Sequence, residues 1–191
     1  MVLFNRCCAI LVTTLVMSSP AFAAGDETPA AATETAAPIA LSAKALNCKR
    51  GEAAMWGGEA AAKKQTCVTL TAGVMGDEEL YEQGKLLATE SEYDWALEVL
   101  ALITNQDDAK VLNYIGYSHR KAGRLETGIE AYKKALTLDP NYVQAREYLG
   151  EAYILAGNKD LAMAELAEIK TRCGEACPEY AELQKALTAA N

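Results

Sequence analysis

From about residue 77 to the end of the chain, apolar residues recur at helical spacing, and small residues return at fixed phases between them. Gly84, Gly116 and Gly150 follow one another at intervals of 32 and 34 residues, and Ala96, Gly128 and Ala162 repeat the same two intervals. A period of about 34 residues with small side chains at two phases is the pattern of stacked helix-turn-helix units. The small residues belong where the two helices of a unit cross closely, because a larger side chain would push them apart. The pattern therefore predicts three helix pairs, at 77–108, 109–142 and 143–174. Beyond them, Gly174 suits the residue that ends a helix and Pro178 the first turn of the next. Tyr180, Leu183 and Leu187 then fall on one face, so 176–191 reads as a helix capping the stack.

The stretch before residue 77 has a different texture. Residues 1–23 carry Arg6, an apolar run from Cys7 to Met17, and Ala21 and Ala23 placed as an A-x-A cleavage site. This is the layout of a secretory signal, with cleavage expected after Ala23. The apolar run is too short to span a membrane, which takes roughly 20 residues, so no transmembrane segment is expected after cleavage. Residues 24–44 are Ala, Thr and Pro with few large apolar side chains, and they read as a flexible linker. Residues 45–71 form a small module in which Cys48 and Cys67 bracket Gly51, Trp56, Gly57 and Gly58. The glycines suggest turns, Cys-Val-Thr-Leu is a short strand candidate, and Trp56 is expected to pack over a disulfide.

The middle repeat carries a family likeness. Leu112, Ile115, Gly116, His119, Gly128, Tyr132, Ala135 and Pro140 stand where the tetratricopeptide repeat (TPR) pattern expects large, large, small, large, small, aromatic, small and proline. Leu-Asp-Pro-Asn at 138–141 resembles the turn into a following copy. The third copy keeps Leu149, Gly150, Tyr153, Ala162 and Leu166 but has Arg146 at the first aromatic position and Gly174 in place of proline. The first keeps Leu80, Gly84, Leu87, Ala96 and Leu100, has Gln83 and Asp108 as departures, and is about two residues short. The chain thus resembles an exported bacterial TPR-containing protein. The resemblance implies an all-α solenoid of three TPR-like pairs plus a capping helix, preceded by the small disulfide-closed loop or hairpin.

It also implies a concave face built from the first helix of each pair. Carried over position by position, the ligand-facing side chains are Glu78, Tyr81, Lys85, Ala88 and Thr89; Lys110, Asn113, Tyr117, Arg120 and Lys121; and Gln144, Glu147, Glu151, Ile154 and Leu155. Tyr81, Lys85, Asn113, Tyr117, Arg120, Glu147 and Glu151 are the candidate partner-binding residues. Lys85, Asn113 and Arg120 could form part of a clamp for a C-terminal carboxylate, but Glu147 and Glu151 would meet such a group with like charge. A segment with both polar and basic groups, anchored on Tyr81 and Tyr117, fits better.

Composition narrows the chemistry. Lys+Arg 18 against Asp+Glu 26 gives a net charge of −8, which argues against a nucleic-acid partner. There is one histidine, His119, and it falls at a core phase beside Ile115 and Leu112. The sequence has no Walker loop, G-x-S-x-G elbow or H-E-x-x-H, so no catalytic residue, cofactor or metal is assigned. Outside the signal segment the cysteines are Cys48, Cys67, Cys173 and Cys177. In an oxidising compartment they read as two disulfides, and sequence separation favours the local pairs Cys48–Cys67 and Cys173–Cys177. A four-thiolate zinc site is disfavoured, since there is no C-x2-C pair. A redox role for Cys173 and Cys177 lacks the C-x-x-C spacing that activates a thiol. The acidic clusters at 77–79 and 107–108 sit near helix starts, where carboxylates oppose the dipole. The resulting expectation is a non-enzymatic periplasmic or secreted module that binds a protein or peptide segment. Anchoring to the envelope or a glycan through 45–71 is an alternative, and pairing of two copies through an exposed end or the groove stays open.

Overall fold

The computed structural model describes residues 43–57, 64–71 and 73–190, all within one compact unit. The expected signal segment and nearly all of the expected linker lie outside the described residues, as does the side chain of Trp56. Among the described residues, seven helices follow a hairpin. The hairpin pairs β1 (Glu52–Gly57) with β2 (Lys64–Thr69), antiparallel, in a register that sets Glu52 opposite Thr69 and Gly57 opposite Lys64. The helices are α1 (Asp77–Thr89), α2 (Tyr93–Leu100), α3 (Ala109–Lys121), α4 (Leu125–Leu138), α5 (Val143–Leu155), α6 (Lys159–Cys173) and α7 (Pro178–Ala189). They form three antiparallel pairs and a cap. The first helices of the pairs touch one another, α1 to α3 and α3 to α5, whereas α2, α4 and α6 make no comparable contact among themselves. The row α1–α3–α5 is therefore the inner side of the array.

The small residues act as the period required. A Cβ on Gly116 would lie 2.7 Å from the Tyr132 ring and 3.1 Å from the Gly128 carbonyl oxygen, so α3 and α4 cross with no room for a methyl group. Gly150 differs from its counterparts. Its closest neighbour is Leu183 Cδ2, 2.5 Å from a Cβ placed there, so the third small position admits the capping helix rather than its own pair partner. Leu183 is fully buried there, as the one-face pattern of α7 requires.

Local chemistry fixes the ends. Asp108 caps α3 by accepting from the backbone N–H of Lys110 at 2.7 Å and Val111 at 3.3 Å. Asp77, at the start of α1, accepts from the backbone of Thr104 at 2.9 Å, which holds its carboxyl below the usual range. The short α2 ends where Gln106 Nε2 donates to the carbonyls of Leu100 and Ile103. Arg146, the departure in the third copy, replaces an aromatic contact with polar ones: it donates to the Pro140 carbonyl at 2.8 Å and pairs with Glu165 at 2.9 Å. Gly174 ends α6 with φ +81°, a backbone that suits glycine.

Both local disulfides are formed, Cys48–Cys67 and Cys173–Cys177. The hairpin is not a separate bead. Ala43, Ala53 and Ala54 share one core with Leu80, Leu87, Trp95 and Leu100. Trp95 Nε1 donates to the Glu52 carbonyl at 3.0 Å, Arg50 pairs with Glu98 at 2.6 Å and Lys44 with Glu92 at 2.7 Å. Trp95 therefore spends its ring and its N–H on the module. The folded unit also takes in Ala43 and Lys44, the last two residues of the stretch read as a linker.

Candidate functional site

The inner face is built on tyrosines. Tyr81 on α1 meets Tyr114 edge-on at 5.8 Å, Tyr114 lies 6.1 Å from Tyr117 on α3, and Tyr117 lies 5.3 Å from Tyr148 on α5. Tyr148 continues to Tyr132 at 6.1 Å, and Tyr93 joins Tyr117 at 6.4 Å. The aromatic row crosses all three repeats. Burial raises the hydroxyl pKa of Tyr81, Tyr148 and Tyr132 far above the ordinary phenol value, so these side chains are neutral donors and acceptors at any physiological pH. Tyr81, Tyr114, Tyr117 and Tyr148 come from the inner helices α1, α3 and α5, and Tyr132 and Tyr93 from α4 and α2; a phenol serves there because one end packs while the other meets polar groups.

Two candidate residues are buried within this face rather than exposed on it. Asn113 is fully buried, and its amide donates to the Tyr142 hydroxyl and to Gln144 Oε1, each at 3.3 Å. Arg120 has 8% of its surface exposed. Its guanidinium sits between Tyr117 and Tyr148, 5.6 and 5.5 Å from the ring centres, and pairs with Glu151 at 2.6 Å. It also donates to the Tyr132 hydroxyl at 3.3 Å. These are internal struts between repeats, so Asn113 and Arg120 position the face. Ala88 is fully buried as well.

The remaining candidates are on the surface side. Lys85 pairs with Glu82 at 3.3 Å and lies over the Tyr81 ring at 5.9 Å. Lys121 reaches over Tyr117 at 5.9 Å. Glu147 is half-buried, and burial, reinforced by the nearby charges of Glu151 and Glu179, pushes its carboxyl up to about 7. His119 is partly exposed and is not a core residue: Nδ1 accepts from Arg124 at 2.8 Å, and Arg124 in turn pairs with Asp94 across to α2. Burial and the Arg124 charge hold His119 below its usual pKa.

An open groove of about 500 Å³ lies at the C-terminal ends of the inner helices, lined by Tyr93, Arg120, Lys121, Glu151, Ile154, Leu155 and Ala186. Leu155 is 64% exposed within it. A second, smaller hollow of about 200 Å³, at the other end, includes Glu78, Tyr81, Asp108 and Lys110. Five groove residues come from phases named in the sequence. Tyr93 and Ala186 do not: they arrive from the outer helix α2 and the cap α7. Only tertiary packing brings them in.

The comparisons with known proteins agree with this architecture. Residues 116–157 match the TPR repeat family. That stretch of the chain carries tetratricopeptide-repeat sequence. It is 37% identical over 76 residues to the peroxisomal targeting signal receptor of Candida albicans, covering 39% of this chain and 13% of the receptor. It is 31% identical over 97 residues to the chloroplastic TPR domain-containing protein PYG7 of Arabidopsis thaliana, covering 48% of this chain and 32% of that protein. The chain thus spans a third or less of these curated relatives. Among solved structures, the TPR2B-domain–pHsp70 complex of yeast Sti1 overlays with a TM-score of 0.55 at 22% identity, covering 60% of this chain and 94% of that one. PcrH in complex with the chaperone binding region of PopB overlays with 0.51 at 21% identity, covering 63% and 100%. These structural likenesses establish the TPR fold.

Proposed function

We propose that the chain is a non-catalytic adaptor that holds a segment of a partner protein in the groove on the inner TPR face. We further infer that it works in the bacterial periplasm or outside the cell. The observation that carries the binding reading is the open groove in which Leu155 stands exposed, with partly buried Ile154, beside Tyr93 and Lys121. An exposed leucine flanked by an aromatic ring and an exposed cation is the make-up of a segment-binding surface, where an apolar anchor gives affinity and the rim gives selectivity. Two of the similar TPR structures hold protein segments by their own descriptions, which supports the same reading here. Export is supported by the signal-like residues 1–23 and by two formed disulfides, which persist in oxidising compartments.

The test is crosslinking capture from cells expressing the full chain, beside a Leu155→Asp/Lys121→Glu variant and a Thr66→Ala variant of the exposed hairpin strand. The account predicts a discrete partner that is lost in the groove variant and kept in the hairpin variant. Arg120 is unsuitable as the test residue, because removing it breaks a buried strut. Fractionation of the same cells checks the location, and recovery of the chain in the cytosol with residues 1–23 intact would refute export.

A further inference from the structure

We propose that the α5 stripe running from Glu147 into the groove selects a partner segment carrying a lysine or arginine near a bulky apolar side chain, with the cation docking on Glu147 and the apolar side chain in the groove at Leu155. This rests on the reading that the groove is where a partner segment binds, and it names that segment's chemistry.

Charge is unevenly spread along the inner face. Lys85, Lys110 and Lys121 lie on α1 and α3, whereas Glu147 and Glu151 on α5 face Glu179 and Glu182 on α7. Two of these carboxylates are already matched: Glu151 pairs with Arg120 at 2.6 Å and Glu182 with Lys185 at 3.5 Å. Among the described residues, neither Glu147 nor Glu179 has a hydrogen bond or ion pair to its side chain. The nearest cation, Arg120 on α3, already spends its donors on Glu151 and Tyr132. The free protein thus holds on its inner face a half-buried carboxylate with no ion-pair partner of its own, opposed only by the charge of an Arg120 already paired elsewhere. That costs stability unless something supplies a partner.

The geometry indicates what does. Among the described residues, the carboxylates near Glu147 do not converge closely enough to share a metal ion. A long cationic side chain reaching in from a partner meets the need without such convergence. Glu147, Glu151, Ile154 and Leu155 follow the i, i+4, i+7, i+8 rhythm and so lie on one stripe of α5. The carboxylate and the exposed Leu155 are about 12 Å apart along the helix. An extended partner covers that distance in about three to four residues. The segment therefore carries its cation three or four positions from its apolar anchor.

A second consequence follows from the environment of Glu147. It is faced by Glu151 and Tyr148 on its own helix, Arg120 on α3, and Glu179 and Glu182 on α7. Its carboxyl, near 7 in the free protein, loses its proton when a cation docks. Binding is then tighter at higher pH, by about tenfold between pH 6 and pH 8.

The experiment selects random peptides displayed on phage against the full chain, against Glu147→Gln and against Leu155→Asp, and then measures the enriched peptides by calorimetry at both pH values. The proposal expects wild-type selections rich in Lys or Arg three or four positions from a large apolar residue. It expects Glu147→Gln to keep the apolar preference but lose the basic one, together with the pH dependence. Peptides that need Leu155 but ignore Glu147, or that favour acidic residues, overturn the cation assignment and leave the groove intact. Peptides indifferent to Leu155→Asp, or no enrichment at all, overturn the groove reading and the proposal with it. Glu147→Gln relieves like-charge repulsion, so its melting curve distinguishes lost recognition from lost folding.

Discussion

At the scale of single residues, Arg120 shows how a correct phase can mislead about a role. Its position marks it as facing the groove, and its length lets it turn back between two tyrosine rings toward Glu151. Arg120→Ala leaves Glu151 and the Tyr132 hydroxyl without their partner and is expected to cost about 3 kcal/mol, read from denaturant melts. Lys121→Ala, one residue on, is expected to change stability by less than about 0.5 kcal/mol. Glu147 has the opposite sign. Its folded pKa lies above that of an unfolded glutamate, so the native state binds the extra proton and stability falls as pH rises from about 4.5 through about 7. Glu147→Gln is therefore expected to stabilise the protein at pH 8, by about 1 kcal/mol after allowing for solvent screening, and to lose that advantage by pH 5. Melts of both proteins across that range check the slope. None of this is visible in the sequence. Asn113, Tyr142 and Gln144 meet across repeats, and a period shows where a residue faces, not whom it reaches.

At the scale of elements, the repeat was the most legible part of the chain. Small residues at a fixed interval report a steric demand that recurs with every helix pair, so Gly84, Gly116 and Gly128 were readable as crossings before any coordinates. Gly116→Ala would drive a methyl group into the Tyr132 ring and is expected to cost about 2 kcal/mol, measured by thermal unfolding. Gly150 carried the same signal but serves the cap, because the array ends there and α7 takes the place of a next repeat. The hairpin was legible through its cysteines, glycines and Cys-Val-Thr-Leu strand. Its docking on α1 and α2 was not, since Trp95 Nε1 and the Glu52 carbonyl are joined only in space. Removing the Cys48–Cys67 bridge with paired alanines is expected to cost about 3 kcal/mol on the chain-entropy view. It should also loosen the Trp95 environment, seen as a red shift of tryptophan emission. The Cys173–Cys177 bridge closes a shorter loop and should cost less, about 2 kcal/mol.

At the scale of the whole molecule, the hairpin, three helix pairs and cap together frame one inner face. The hairpin covers the first pair and the cap covers the last, so the ends that a short repeat array would otherwise expose are packed. What remains open is the groove, completed by Tyr93 and Ala186 from elements that no inward-facing phase identifies. The most direct test of that account places a photo-crosslinking amino acid at Leu155 in one protein and at Met163, 56% exposed on α6 and outside the groove lining, in another. Each is illuminated in cells that express the full chain. The account predicts a partner adduct from position 155 and none from position 163. An adduct from 163 with none from 155 would contradict it and move binding to the outer helices.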